Sequence, residues 1–199
     1  MTQGAKPVLA VDVDDVLFPL VPLFVEYHNE QHGTSATAND FVTYRFEDSL
    51  GIPEDLFVER FRKFWTDGSL LTGGPDDQAQ EAIRQLAERF DLEIVTSRWQ
   101  DFEEDTITWL QKHFPDTFKN IHFANSISWH RGDKRDKASI CQKLGATYFI
   151  DDSLDNVLQV AATGVESLLF GNYAWNQADE LPDNVRRVND WNEVLEVLL

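Results

Sequence analysis

Cysteine is almost missing. The single Cys141 among 199 residues cannot close an internal disulfide, which excludes a disulfide-stapled secreted scaffold and points to a reducing compartment. No apolar run approaches the roughly 20 residues that a membrane helix needs, because Asp, Glu or Pro interrupts the longest candidates. The opening MTQGAKPVLAVDV has neither the basic start nor the long apolar stretch of a signal peptide, so a cytoplasmic protein with no membrane partner is expected. Positive charge is scarce as well: 17 Lys and Arg face 35 Asp and Glu, and the formal net charge of -18 repels nucleic-acid backbones and anionic surfaces. A nucleic-acid polymer is therefore not an expected partner. Any phosphate-bearing ligand has to be held by local cations and backbone amides that overcome this field at short range. Repeats and low-complexity tracts are absent too. What is present, 42% hydrophobic and 26% charged residues, suits one packed domain or one domain with a substantial insertion.

Short runs rich in Val, Ile and Phe that end abruptly in polar residues alternate with segments of helical spacing, which predicts an α/β fold with a doubly wound parallel sheet. Five strands are expected: Val8 to Val13, Leu92 to Thr96, Ile121 to Ala124, Thr147 to Ile150 and Glu166 to Phe170. Helices are expected over Asp77 to Phe90, Phe102 to Phe114, Lys137 to Leu144 and Leu154 to Ala162, with a last one near Trp191 to Leu199. Asn172 to Val188 reads as irregular. One connection is too long. Asp12 and Thr96 lie 84 positions apart, against about 30 residues for a simple crossover unit. Helical patterns over Phe18 to Gln31 and Pro53 to Trp65 fill the excess, and 10 of the 24 aromatics fall within 17–72. We expect a small helical cap over 17–72, returning at Gly73-Gly74-Pro75, on a core made of 1–16 and 73–199.

Ligands of such sheets bind at the carboxyl ends of the strands. The first strand ends in Val11-Asp12-Val13-Asp14-Asp15-Val16-Leu17, and an extended segment puts Asp12 and Asp14 on one side. Two carboxylates in one crevice are costly unless a cation lies between them or their proton affinities separate. Capping of a following helix is the competing reading. The fourth strand repeats the pattern in Ile150-Asp151-Asp152-Ser153-Leu154-Asp155-Asn156, and paired carboxylates supply the hard oxygen ligands suited to Mg²⁺. The second strand contributes Thr96, Ser97 and Arg98, whose hydroxyls and amides suit an anion. Lys134 and Lys137 stand near the start of the helix leading to the fourth strand, where the helix dipole disfavours lysine.

The order DxD, Thr-Ser, Lys, Asp-Asp, each at a strand end, resembles the four-motif pattern of the haloacid dehalogenase superfamily along nearly the whole chain. The resemblance implies a Rossmann-like core and a Mg²⁺-dependent phosphomonoester hydrolase that works through an aspartyl-phosphate. Asp12 would be the nucleophile and Asp14 the acid and base. Thr96, helped by Ser97 and Arg98, would bind the phosphoryl group, and Lys137, in preference to Lys134, would neutralise charge. Mg²⁺ would be held by Asp12, the Asp14 carbonyl and the Asp151-Asp152 pair, with Asp152 the direct ligand. An acid two residues after the nucleophile favours phosphate-ester hydrolysis over carbon-halogen cleavage. Asp15 stands where many members have Gly. Within the superfamily the chain is similar to the 5′(3′)-deoxyribonucleotidases of cytosolic type, on the Asp12-to-Leu17 run, Thr96-Ser97-Arg98 and Leu169-Phe170-Gly171-Asn172-Tyr173-Ala174-Trp175-Asn176, where Ala174 replaces the usual Pro.

That likeness implies a nucleoside monophosphate as substrate, with a sugar phosphate, or a non-enzymatic binding role, as alternatives. Phe18, Tyr44, Phe46 and Trp65 would be available to stack on a base and Arg45 to meet a polar edge. His28 and His32 lie four apart but miss the HExxH order, so a solvated helix face is expected there rather than zinc. Cys141 reads as a core residue. Monomer and homodimer remain open.

Overall fold

Alternate residues of a strand face opposite ways, and here both directions are apolar. The computed structural model describes residues 5–68, 72–76, 78–124 and 136–199. Its strands are β1 (Val8–Val11), β2 (Asp91–Thr96), β3 (Ile121–Phe123), β4 (Ala146–Asp151), β5 (Glu166–Phe170) and β6 (Val185–Val188), all parallel, in the order β3-β2-β1-β4-β5-β6. Three helices follow β1, namely α1 (Leu20–His32), α2 (Phe46–Leu50) and α3 (Glu54–Thr66). Then come α4 (Ala79–Arg89), α5 (Glu103–His113), α6 (Lys137–Leu144), α7 (Leu154–Ala161) and α8 (Trp191–Leu198).

Leu9, Val11, Ile150, Leu168 and Phe170 join one buried cluster with Ile83 and Leu86 of α4, Trp109 of α5 and Trp191 of α8. Ala10, Phe149 and Leu169, their neighbours in sequence, join the opposite cluster with Cys141 of α6 and Val157 and Val160 of α7. Each of β1, β4 and β5 thus serves two helical layers, the arrangement expected when parallel strands read as continuous apolar runs. Among the described residues no helix is long and apolar enough to cross a membrane.

The sheet has six strands, one more than the sequence reading. β6 was read as irregular because only Val185 and Val188 of Val185-Arg186-Arg187-Val188 are buried, which breaks the period of two at a sheet edge.

Helices α1, α2 and α3 share an aromatic interior. Phe24 of α1 meets Phe57, Phe61 and Phe64 of α3 edge-on, with centroids 5.8, 5.2 and 5.5 Å away. The chain comes back at Gly73, where a Cβ would lie 2.7 Å from Leu23 and 2.8 Å from Phe18, so only glycine fits. The Gly73 carbonyl accepts the Trp109 indole N–H at 2.7 Å. His28 is buried rather than solvated, because α1 packs this face on α3; its Nε2 faces Arg60 Nη1 at 2.9 Å and its Nδ1 faces Thr34 Oγ1 at 3.0 Å. Burial, reinforced by His32 and Arg60, lowers its pKa to about 4.

The sheet order fixes where a ligand belongs. The chain starts in the middle at β1, builds outward through β2 and β3, then crosses to β4 on the other side. The crevice at this reversal opens over the carboxyl ends of β1 and β4.

Candidate active site

Val11 pairs in register with Ile150, and the Asp12 amide donates to the Ile150 carbonyl at 2.9 Å. Asp12 and Asp151 therefore leave the sheet side by side. Beyond Asp12 the chain makes a tight loop: the Phe18 amide donates to the Val13 carbonyl at 2.8 Å and the Asp15 amide to the Phe18 carbonyl at 2.7 Å. The loop needs a left-handed residue, and Asp15 takes it with φ +54. Glycine suits that conformation and Asp is among the few side chains that tolerate it. Aspartate also adds a function that glycine lacks, since its buried carboxylate accepts the Val21 amide at 3.0 and 3.4 Å. That amide belongs to the first turn of α1, whose N-cap Pro19 provides no side-chain acceptor. Burial first, with Asp14 and Asp12 nearby, raises the Asp15 pKa well above the usual carboxylate range.

Lys137 is the first residue of α6, whose N-cap Asp136 accepts the Ser139 amide at 2.6 Å. Its ammonium is buried, 2.8 Å from Asp12 Oδ1 and 2.7 Å from Asp151 Oδ2. Burial alone would lower its pKa; attraction to Asp12 and Asp151 overcomes this and holds the lysine above its ordinary range. Asp151 is further fixed by the Ser153 amide at 2.7 Å and by Asn156 Nδ2 at 3.3 Å from each oxygen. Asp12 is less well satisfied. Its contact with Lys137 is an ion pair without hydrogen-bond geometry, and buried Oδ1 receives no hydrogen bond. Burial, together with repulsion from Asp151 and Asp14, outweighs the lysine and raises the Asp12 pKa.

Asp152 points into the same crevice, its Oδ2 accepting Trp175 Nε1 at 2.7 Å and the Tyr44 hydroxyl at 2.9 Å. One carboxylate oxygen from each of Asp12, Asp151 and Asp152 lies within 4.8 Å of the others. Burial, then repulsion from Asp151, Asp15 and Asp12, raises the Asp152 pKa. The segment after β5 braces this corner. Tyr173 stacks on Trp175 with centroids 4.4 Å apart and planes 7° from parallel, and its hydroxyl donates to the Asp15 carbonyl at 2.9 Å. Asn176 Nδ2 donates to the carbonyls of Asp152 and Phe170, each at 3.0 Å, and Arg187 Nη1 donates to Asn176 Oδ1 at 2.9 Å. Gly171 makes the turn with φ +76, where a Cβ would collide with the Tyr173 ring. Gly171→Ala is therefore expected to cost about 2 kcal/mol of stability, measured by chemical denaturation; a variant as stable as the parent would show that Tyr173 can move aside freely.

Thr96 is fully buried and its Oγ1 accepts the Arg98 amide at 3.2 Å, whereas Ser97 lines the crevice. Arg98 lines it too, but its guanidinium is paired with Asp14, Nη2 to Oδ1 at 2.7 Å. The crevice is part of a cavity of about 480 Å³, lined also by the aromatic Tyr44, Phe46, Phe57, Phe61, Trp65, Trp99 and Phe102 and by the polar Ser153, Asp155, Asn156 and Gln159. Of the proposed base contacts, Tyr44, Phe46 and Trp65 are thus brought to the cavity. Phe18 is not, being fully buried beneath Arg98, nor is Arg45, which faces solvent and pairs with Asp48 at 2.7 Å. Lys134 lies outside the described residues. Sequence reasoning gave no role to Asn156 or Asn176 and left that of Trp175 open; the only signal for the last two was the Trp-Asn pair in the run after β5.

Comparison with known proteins gives a consistent result. The family profile described as 5′ nucleotidase, deoxy (pyrimidine), cytosolic type C matches residues 6–199. A protein of Halalkalibacterium halodurans that carries a provisional nucleotidase name is 26% identical over 198 residues, 97% of this chain and 93% of its own. Among solved structures, a haloacid dehalogenase-like hydrolase of Streptococcus pneumoniae superposes with TM-score 0.70 at 17% identity, covering 98% of this chain and 99% of its own. A HAD hydrolase of Bacillus subtilis, YfnB, described bound to magnesium with interdomain movement, gives 0.63 at 17% identity over 98% and 99%. At such identities the structures establish the fold alone.

Proposed function

This chain belongs to the cytosolic type C 5′-nucleotidase family, phosphoric monoester hydrolases of the haloacid dehalogenase superfamily, and from that premise we propose a Mg²⁺-dependent enzyme that passes the phosphoryl group through Asp12. The observation that carries the reading is the buried trio Asp12, Asp151 and Asp152 beside one buried lysine. The donor set fits a hard divalent ion: three carboxylates within reach of one another, with Asp12 Oδ1 buried and without a hydrogen bond. Asp12, Asp152 and the Asp14 carbonyl are the proposed ligands, while Asp151, already held by Lys137, Ser153 and Asn156, supports them. Bound there, Mg²⁺ supplies charge neutralisation between the nucleophile and the phosphoryl oxygens.

The chain's own groups do the rest. Asp12 attacks phosphorus in line as the ester P–O bond breaks, and Asp14 gives its proton to the leaving oxygen. Water then attacks the aspartyl-phosphate, Asp14 takes the proton, and inorganic phosphate departs. Lys137 offsets part of the cost of ionising Asp12 and orients it, and Ser97, which lines the crevice, would donate to the phosphoryl group. Residues 17–72 are proposed to act as a cap that excludes water and selects the leaving group. Its aromatic wall favours a flat, weakly polar group, which supports a (deoxy)nucleoside monophosphate in a cytoplasmic enzyme. The hydrophilic wall of Ser153, Asp155, Asn156 and Gln159 is what a sugar phosphate would use instead.

Two measurements test the reading together. Mg²⁺ is expected to raise the melting temperature, and chelation to abolish turnover. On a panel of nucleotides and sugar phosphates, the nucleoside monophosphates should be preferred; comparable rates on both sets would point to a general phosphatase.

A further inference from the structure

Arg98 sits two residues beyond the second-strand threonine, where an anion contact is the natural expectation, yet its donors are turned to protein atoms. Nε lies 3.0 Å from Asp14 Oδ1 and 3.1 Å from Oδ2, Nη2 lies 2.7 Å from Oδ1, and Nη1 lies 3.3 Å from Thr106 Oγ1. Thr106 is itself fixed, its hydroxyl donating to the Phe102 carbonyl at 2.7 Å. The guanidinium carbon lies over two rings, 4.9 Å from the Phe18 centroid and 5.0 Å from that of Trp65. The arginine side chain is 1% exposed and that of Asp14 20%. A planar fork held from three directions fixes the carboxylate it grips in one rotamer, which a point-charge lysine would not do.

We propose that Arg98 is a positioning residue that orients the Asp14 carboxyl for proton transfer, holding Oδ1 with two donors and leaving the more lightly held Oδ2 to carry the proton. This rests on Asp14 being the acid and base of the proposed reaction. In the first half-reaction the Oδ2 proton goes to the leaving oxygen as the Asp12–phosphorus bond forms and the ester bond breaks. In the second, Oδ2 takes a proton from the attacking water as the Asp12–phosphorus bond breaks. Trp65 belongs to α3, so the clamp is complete only when that helix is seated against the sheet domain. A displaced helix would loosen the acid as well as open the cavity.

The test exploits the leaving group. A p-nitrophenolate departs without a proton, whereas the alkoxide of a nucleoside 5′-monophosphate needs one. In the full-length protein with Mg²⁺, Arg98→Met is expected to lower kcat/KM for a nucleoside 5′-monophosphate by about 100-fold, while p-nitrophenyl phosphate changes by less than about five-fold, because only the first ester depends on the acid. Thr106→Val, which removes the Nη1 acceptor together with the hydroxyl's own bond to the Phe102 carbonyl, should show the same asymmetry in smaller degree, and it decides the matter if Arg98→Met does not fold. Equal losses on both esters with weaker inhibition by inorganic phosphate would put Arg98 on the phosphoryl group and overturn the positioning role. A parent protein that turns over neither ester would overturn the phosphatase reading, and this role with it.

Discussion

Asp12→Asn is expected to abolish turnover, by on the order of 10⁴-fold or more, without weakening the fold. Both halves follow from the position of Asp12. It leaves the central strand with its amide already bonded to Ile150, so the exchange alters no backbone pairing. Burial and repulsion from Asp151 and Asp14 make its charge unfavourable before any metal binds, and a neutral amide of the same shape relieves that repulsion. With chelator present the variant should melt at or above the parent temperature. With Mg²⁺ the parent should gain more than the variant, which has lost an anionic ligand. Phosphate-release assays and thermal melts in the two buffers check this. A fully active variant would remove Asp12 as nucleophile, and a large loss of stability in chelator would contradict the electrostatic account.

The second large effect concerns Lys137. Replacing it by Met keeps the aliphatic stem but leaves Asp12 and Asp151 buried without their cation. Breaking a buried pair from one side costs about 3–5 kcal/mol, and here two carboxylates share the loss. Lys137→Met is therefore expected to unfold at distinctly lower denaturant and to be essentially inactive. The double variant carrying Asp12→Asn as well should recover part of the stability and none of the activity, because the two residues are in contact and their effects are not additive. A Lys137→Met protein as stable as the parent would mean that the carboxylates are not charged in the absence of metal.

Much of this was legible in the sequence, for identifiable reasons. Strands β1, β4 and β5 are buried on both faces and show up as apolar runs, and the carboxylates that end β1 and β4 interrupt those runs where the sheet opens. β6 was not legible, since an edge strand with two arginines between its buried valines has no pattern to read. The helix dipole marks Lys134 and Lys137 alike as out of place, the family resemblance favours Lys137, and the structure sets Lys137 beside Asp12 and Asp151. Its partners, by contrast, are set by tertiary packing. Nothing in Thr96-Ser97-Arg98 announces that the arginine turns to Asp14, 84 positions earlier, rather than to an anion. Asn156, Trp175 and Asn176 act through hydrogen bonds to Asp151 and Asp152, and such support carries no periodicity. Phe18 and Arg45 do not line the cavity, for aromatic or charged character alone does not tell which way a side chain points.

Placing the first strand in the centre of the sheet also has a consequence for biosynthesis. Val8 pairs with Asp91 on one side and with Ala146 on the other, so β1 waits for about half of the polypeptide before one flank is covered and for most of it before both are. Contacts between residues so distant in sequence form late and slowly. A nascent or truncated chain that stops short of β4 would leave β1 unpaired on its β4 side, an apolar edge with the Asp12 carboxylate at its tip. Such a product is inert as a catalyst and prone to self-association, so its handling by the cell falls to chaperones and proteases.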